Sequence, residues 1–203
     1  VSAFTRVGDV RGALTPELAL EEDSELLLVD LGRDRLGQSI LAQVFDTPLG
    51  PVPDLDDPVV FRGFFDTLQA QARAGRILAY HDRSDGGALV AALEMAFTAG
   101  VGLGIHLDAF VGREPLAVLF NEELGALVQV RRADRDAVVA AFDAAGLAGR
   151  VHRFATLRLD NRVEVLADDV RLLNADLDTL FDAWLETTHA MQRRRDNPEC
   201  ADE

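Results

Sequence analysis

The stretch Ala79–Val90, AYHDRSDGGALV, joins strand-like text to helix-like text across one polar turn. RILAY, ending at Tyr80, reads as a strand, and GALVAALEMAF reads as a helix with Leu89, Leu93 and Ala96 on one stripe. A strand feeding a helix through a short turn is the repeating unit of α/β architecture. The turn also poses an electrostatic question. A helix start offers unpaired backbone N–H groups and a positive dipole end, both of which attract anions. Gly86 and Gly87 let a phosphate approach that backbone, yet Asp82 and Asp85 flank Ser84 with negative charge.

A divalent cation reconciles the two. In open α/β sheets ligands gather where strands end and helices begin, and Asp82 lies just past the end of its strand. Magnesium takes oxygen ligands, is commonly held by one or two carboxylates, and completes its shell with water and phosphate oxygens. On that reading Asp82 is a metal ligand, while Ser84 and the N–H groups of Gly86 and Gly87 bind the phosphate or another part of a nucleotide. The same residues also suit a turn without a ligand. Ser84 or Asp85 then caps the helix, His81 closes the strand, and the glycines ease a tight turn. The turn's own residues leave both readings open.

Working outward, VSAFTRV and ELLLVDL read as early strands, the second a continuous apolar run suited to a buried position. LGQSILAQVF places Leu36, Ile40, Leu41 and Val44 at helical spacing. A Pro-rich loop, PLGPVPDLDDP, ends in a helix start with Asp57 as cap and Pro58 in the first turn. That helix carries Phe61, Phe64, Phe65, Leu68 and Ala72 on one face, and Gly75 ends it. Beyond the central turn come a strand in GLGIHLDAF, a short helix in PLAVLFNEE, a strand in GALVQVR, and an alanine-rich helix from Asp134 to Ala145 closed by Gly146. VHRFATLRL, RVEVLA and VRLLN complete the sheet. The alternation predicts an α/β sandwich, a mixed sheet with helices packed on it. Asp176 then opens a helix in which Leu177, Leu180, Phe181, Trp184, Leu185 and Met191 recur at helical spacing, a stripe suited to docking. The expected division is a domain over 1–175 and a helix with linker over 176–203.

Composition narrows the chemistry. The formal net charge of -15 argues against nucleic acid as a partner, since phosphate backbones recruit Lys and Arg. No lysine occurs, which removes the P-loop motif and every Schiff-base or Ser–Lys mechanism. The single cysteine, Cys200, allows neither an internal disulfide nor a cysteine-based zinc site, and its acidic surroundings suit an inert thiol. No apolar run approaches the roughly 20 residues of a membrane span, so the expected setting is cytoplasmic and away from membranes. The start at Val1 without methionine and the charged end RRRDNPECADE fit a piece of a longer protein.

Other candidates for chemistry are weaker. Glu94 falls at the border of its helix's apolar stripe, either a side chain reaching water or a buried functional carboxylate. Asn121, Glu122 and Glu123 in LFNEELG could meet a substrate or simply form an exposed helix end. GVGLG has the wrong spacing for a dinucleotide fingerprint and precedes a strand. His106, His152 and His189 are scattered without metal spacing, and no Ser–His–Asp arrangement stands out.

Several strings together resemble a known family. AYHDRSDGGALVAALEMAF, LFNEELGALVQV, LTPEL followed by LLLVDLG, and MQRRRDNPECADE occur in order and resemble phosphoribosylformylglycinamidine synthase of the large, single-chain type. The resemblance covers the whole chain. It implies an ATP-dependent, glutamine-using ligase that converts formylglycinamide ribonucleotide to formylglycinamidine ribonucleotide in purine biosynthesis. It also implies a three-layer fold like the aminoimidazole ribonucleotide synthetase C-terminal domain, partly ferredoxin-like, followed by a linker helix toward a glutaminase domain. In that family the first aspartate of HDRSDGG ligates magnesium and the serine contacts ATP or ADP, positions that are Asp82 and Ser84 here. The resemblance further implies neighbouring synthetase and glutaminase domains, with catalytic groups outside these 203 residues. Cys200 is then not the glutaminase nucleophile, and the chain alone should not catalyse. Such proteins carry a catalytic and an auxiliary nucleotide site, and Asp82 with Ser84 could line either.

Overall fold

The computed structural model describes Phe4 and residues 6–201. Its centre is a seven-stranded sheet in the order β2-β4-β1-β5-β3-β6-β7. The strands are β1 (Ser24–Asp30), β2 (Ile77–Asp82), β3 (Gly102–His106), β4 (Gly125–Arg131), β5 (Val151–Arg158), β6 (Arg162–Ala167) and β7 (Val170–Asp176). Neighbours pair antiparallel except β3 and β6, which run parallel. The sheet is therefore mixed, as its strand–helix alternation predicts.

The side-chain period of two explains the layers. Leu26 and Leu28 of β1 face one side, and Leu27 and Val29 face the other. Both faces are covered, which is why ELLLVDL reads as an unbroken apolar run. On the first face lie α3 (Gly87–Ala99), α4 (Pro115–Phe120) and the start of α6 (Leu177–Arg195). On the second lie α2 (Pro58–Arg73) and α5 (Arg132–Phe142), whose Phe64, Leu68, Val138 and Phe142 pack on Leu27, Val128 and Val130. Two short helices, α1 (Ile40–Val44) and α7 (Pro198–Ala201), complete the set. None of these helices is long and apolar enough to cross a membrane.

The local grammar of α2 is as its sequence predicts. Asp57 Oδ1 accepts from the N–H groups of Val59 and Val60 at 2.8 and 3.2 Å, with Pro58 at the first turn. Elsewhere the structure shifts the sequence reading. Phe4, Arg6 and Val7 are in no strand, and the other four residues of the VSAFTRV strand lie outside the described residues. The LGQSILAQVF helix shrinks to α1, because Ser39 caps it through its Oγ and leaves Leu36 outside. PLAVLFNEE stops at Phe120, so Asn121, Glu122 and Glu123 are not helical. The alanine-rich helix starts at Arg132, two residues early, and widens after Phe142 into a π turn, Asp143–Leu147, that contains Gly146. Phe65 is half exposed although it shares its helix with buried Phe64. The stripe of α6 docks over its first half: Leu177 is buried, Leu180 packs on the core and Phe181 and Trp184 meet Phe97 of α3, while Met191 is exposed.

Candidate functional site

Asp82 is the last residue of β2, paired with Ala126 of β4, and not beyond the strand as its sequence suggests. The next residue, Arg83, still bonds Gly125 through its N–H at 3.0 Å. The chain then turns through Ser84 and Asp85 into α3. Gly86 precedes α3 in the left-handed region, with φ of 81°, and Gly87 follows at 74°. A Cβ on Gly87 would lie 2.6 Å from the carbonyl oxygen of Leu119, so α4 and the turn approach too closely for any other residue.

Neither Ser84 nor Asp85 caps α3. That removes the capping explanation for their presence. Glu122, reaching across from beyond α4, supplies the acceptor instead: its Oε1 takes the N–H of Gly86 and the N–H of Ile40, both at 2.8 Å. A carboxylate thus already sits at the start of α3, the place the helix dipole favours for an anion. Ser84 donates its hydroxyl to Asp82 Oδ2 at 2.5 Å, and the Asp82 side chain is 66% exposed. Among the described residues no arginine pairs with Asp82, and Asp85 is exposed as well.

His81 points to the α3 side of the sheet. Its Nδ1 lies 2.7 Å from the backbone carbonyl oxygen of Asp82, and its Nε2 lies 3.0 Å from Glu94 Oε2. Trp184 of α6 donates its indole N–H to Glu94 Oε1 at 3.2 Å. Tyr80 and Asp82 border a cavity of about 590 Å³ on the α2 side, walled by Phe61, Phe64, Phe65 and Leu68. Burial, and then the charge of Asp82, hold the Tyr80 phenol above its ordinary range.

The donor set suits a magnesium ion as a partial shell. Asp82 offers an exposed hard-oxygen carboxylate with no competing arginine, and magnesium is often content with one or two such ligands. No group of three or more metal-binding side chains occurs among the described residues. Asp82 and Ser84 are therefore brought together, whereas the backbone of Gly86 is engaged by Glu122.

Among the other singled-out residues, Glu123, Asn121 and His152 have structural partners. Glu123, 2% exposed, accepts from the N–H groups of Arg33 and Arg35 and from the Arg35 guanidinium. Burial raises its carboxyl, but the Arg35 and backbone bonds outweigh that and keep it below the usual range. Asn121 is fully buried, donating to Ala117 O and accepting from Glu123 N–H. These two residues are thus not an exposed helix end. His152 packs tilted against Phe110, with ring centroids 4.7 Å apart, and burial lowers its pKa. His106 lines a separate cavity with Asp108, Arg153 and Thr156, His189 lies on α6, and Cys200 is an exposed free thiol.

A second acidic cluster, which the sequence reading missed, lies behind the turn. Asp30 bridges Arg83 and Arg113, each at 2.8 Å, and Arg113 also pairs with Asp34. Arg83 has no exposed side-chain surface, and its Nε and Nη2 donate to the carbonyls of Glu123 and Leu124. Burial pushes the Asp30 carboxyl up, but Arg83, the Gly32 N–H and Arg113 together bring it down to about 2.

Residues 21–154 match the family model described as AIR synthase related protein, C-terminal domain. Solved structures of similar fold include T. maritima PurL complexed with FGAR, with a TM-score of 0.68 at 15% identity over 84% of this chain and 29% of that one. T. maritima PurL complexed with ATP gives 0.64 at 16% identity over 82% of this chain and 27% of that one. E. coli HypE gives 0.56 at 18% identity, covering 81% and 52% of the two chains. The chain spans little more than a quarter of the length of the PurL structures.

Proposed function

The chain belongs to the family of AIR synthase related proteins, as their C-terminal domain, and on that premise we propose that it serves a magnesium–nucleotide site of phosphoribosylformylglycinamidine synthase. The whole enzyme would convert formylglycinamide ribonucleotide, ATP and glutamine to formylglycinamidine ribonucleotide in the cytoplasm. The observation that carries this reading is the Asp82–Ser84 pair: an exposed carboxylate at a strand end, bonded by the Ser84 hydroxyl, with His81 Nδ1 3.8 Å away and no role in capping the helix that follows. The similarity of the fold to PurL solved with ATP and with FGAR supports it.

The chain's own residues have distinct tasks in this reading. Asp82 presents a carboxylate oxygen to the cation, and Ser84 orients that carboxylate or turns its hydroxyl to the nucleotide. The cation, when bound, offsets the negative charge of the phosphates. Gly86 and Gly87 let the chain reverse beneath the ligand, and α3 adds the positive end of its dipole. Residues 176–203 would then be the helix and linker toward a glutaminase domain, with formylglycinamide ribonucleotide and glutamine bound mainly by neighbouring domains.

One observation favours a second reading. Glu122 already takes the Gly86 N–H, so the start of α3 is satisfied without phosphate. In that case the site is auxiliary or absent, and the domain is a structural module that positions its neighbours. The test is Asp82→Ala in the intact enzyme. Lower turnover or reduced nucleotide content is expected from the magnesium–nucleotide reading. Unchanged turnover together with unchanged nucleotide content supports the structural module.

A further inference from the structure

Three hydrogen-bonding links join α6 to the candidate ligand turn. Trp184 Nε1–H donates to Glu94 Oε1, Glu94 Oε2 meets His81 Nε2, and His81 Nδ1 meets the carbonyl oxygen of Asp82. Both carboxylate oxygens of Glu94 are engaged, one on each side. The α6 end is fixed by rings: Phe97 of α3 meets Phe181 edge-on at 5.2 Å and Trp184 at 5.8 Å, and Phe181 stacks on Trp184 at 5.9 Å.

We infer that Trp184 and Glu94 are positioning residues for Asp82, so that the seating of α6 sets the geometry of the proposed magnesium ligand. The physical reason lies at the strand end. The Asp82–Arg83 peptide is held twice, by the Arg83 N–H on the Gly125 carbonyl and by the His81 ring on the Asp82 carbonyl. The same ring stands 3.8 Å from Asp82 Oδ1, so where the ring is seated limits the directions open to that carboxylate. Groups that orient a metal ligand through a hydrogen bond typically matter tenfold or more to metal affinity. Trp184 stands further back, so about threefold to tenfold is expected here. This inference rests on the proposed magnesium–nucleotide reading of Asp82 and Ser84. It adds that α6 is a transmitting element and not merely a tether.

The test is calorimetric titration of the intact protein with ADP, with and without magnesium, in Trp184→Phe, Glu94→Gln and Asp82→Ala variants. Trp184→Phe keeps the ring contacts with Phe97 and Phe181 and removes the indole donor. The expected result is that Trp184→Phe and Glu94→Gln each lose about threefold to tenfold of the gain in affinity that magnesium confers. Binding of metal-free ADP and the thermal midpoint should stay as in the parent. In protein labelled with 5-fluorotryptophan, the Trp184 resonance, assigned by its loss in Trp184→Phe, should shift with magnesium–ADP and not with ADP alone. An unchanged magnesium gain in both variants, with that gain abolished in Asp82→Ala, overturns the relay and leaves the site reading standing. Equal losses with and without magnesium also overturn it, because they mark a packing role only. A magnesium gain that survives Asp82→Ala removes the site reading and the relay together.

Discussion

Asp30 and Asp82 terminate two strands of one sheet, and their carboxylates have opposite fates. Asp30 is buried against Arg83 and Arg113, with the N–H of Gly32 as a further donor. Asp82 faces water, with the Ser84 hydroxyl on one oxygen and the His81 ring 3.8 Å from the other. A buried carboxylate must be paired or it loses its charge. An exposed one at a strand end is free to bind something. The chain uses arginine to complete the first and leaves the second open, which separates charges that hold the fold from charges available to a ligand.

The largest expected effect breaks the first member of the pair. Asp30→Ala leaves Arg83 buried without its counter-charge and should cost about 3–5 kcal/mol of stability, read by urea unfolding. A loss below about 1 kcal/mol would mean that the cluster does not hold the fold. Next comes Gly87→Ala, which forces a Cβ into the Leu119 carbonyl and a side chain into φ of 74°. It should cost about 2 kcal/mol or more by the same measurement.

Acid sharpens the comparison without mutation. The Asp30 pKa is lowered to about 2 in the fold from an ordinary 3.8, so folding favours its ionised form. Its contribution is fully present above about pH 4 and is lost as pH falls through about 2, amounting to about 2 kcal/mol. Glu123, also held below its usual range, acts in the same direction. Stability measured by thermal unfolding between pH 5 and pH 2 should therefore fall, with a smaller drop in Asp30→Asn. The smallest expected effect belongs to the open carboxylate. Asp82→Ala should change stability by less than about 0.5 kcal/mol, as exposed sites usually do, while abolishing the magnesium-dependent part of nucleotide binding.

Most of the fold was legible because its signals are local. Asp57–Pro58 announces α2, the unbroken ELLLVDL announces a buried strand, and HDRSDGG announces a strand–turn–helix corner. The misread parts are helix ends set by polar side chains, and sites where distant groups decide. Ser39 cuts α1 short with its own side chain, and the end of α4 is set by buried Asn121 and Glu123. Asp82 and Ser84 could be named from the motif, and the structure brings them together. The carboxylate that meets the N–H before α3 comes from Glu122, 36 residues away, and no spacing rule could have found it. The same holds for Asp30 with Arg83 and for Trp184 with Glu94. Only the place of Glu94 at the border of an apolar stripe hinted at a partner.

The most direct test is a crystal structure of the intact protein grown with magnesium and ADP. An Asp82 carboxylate oxygen about 2.1 Å from the cation, with Ser84 beside the nucleotide, is the expected result. A bound nucleotide whose cation lies out of reach of Asp82 would contradict the assignment of this corner as a metal site.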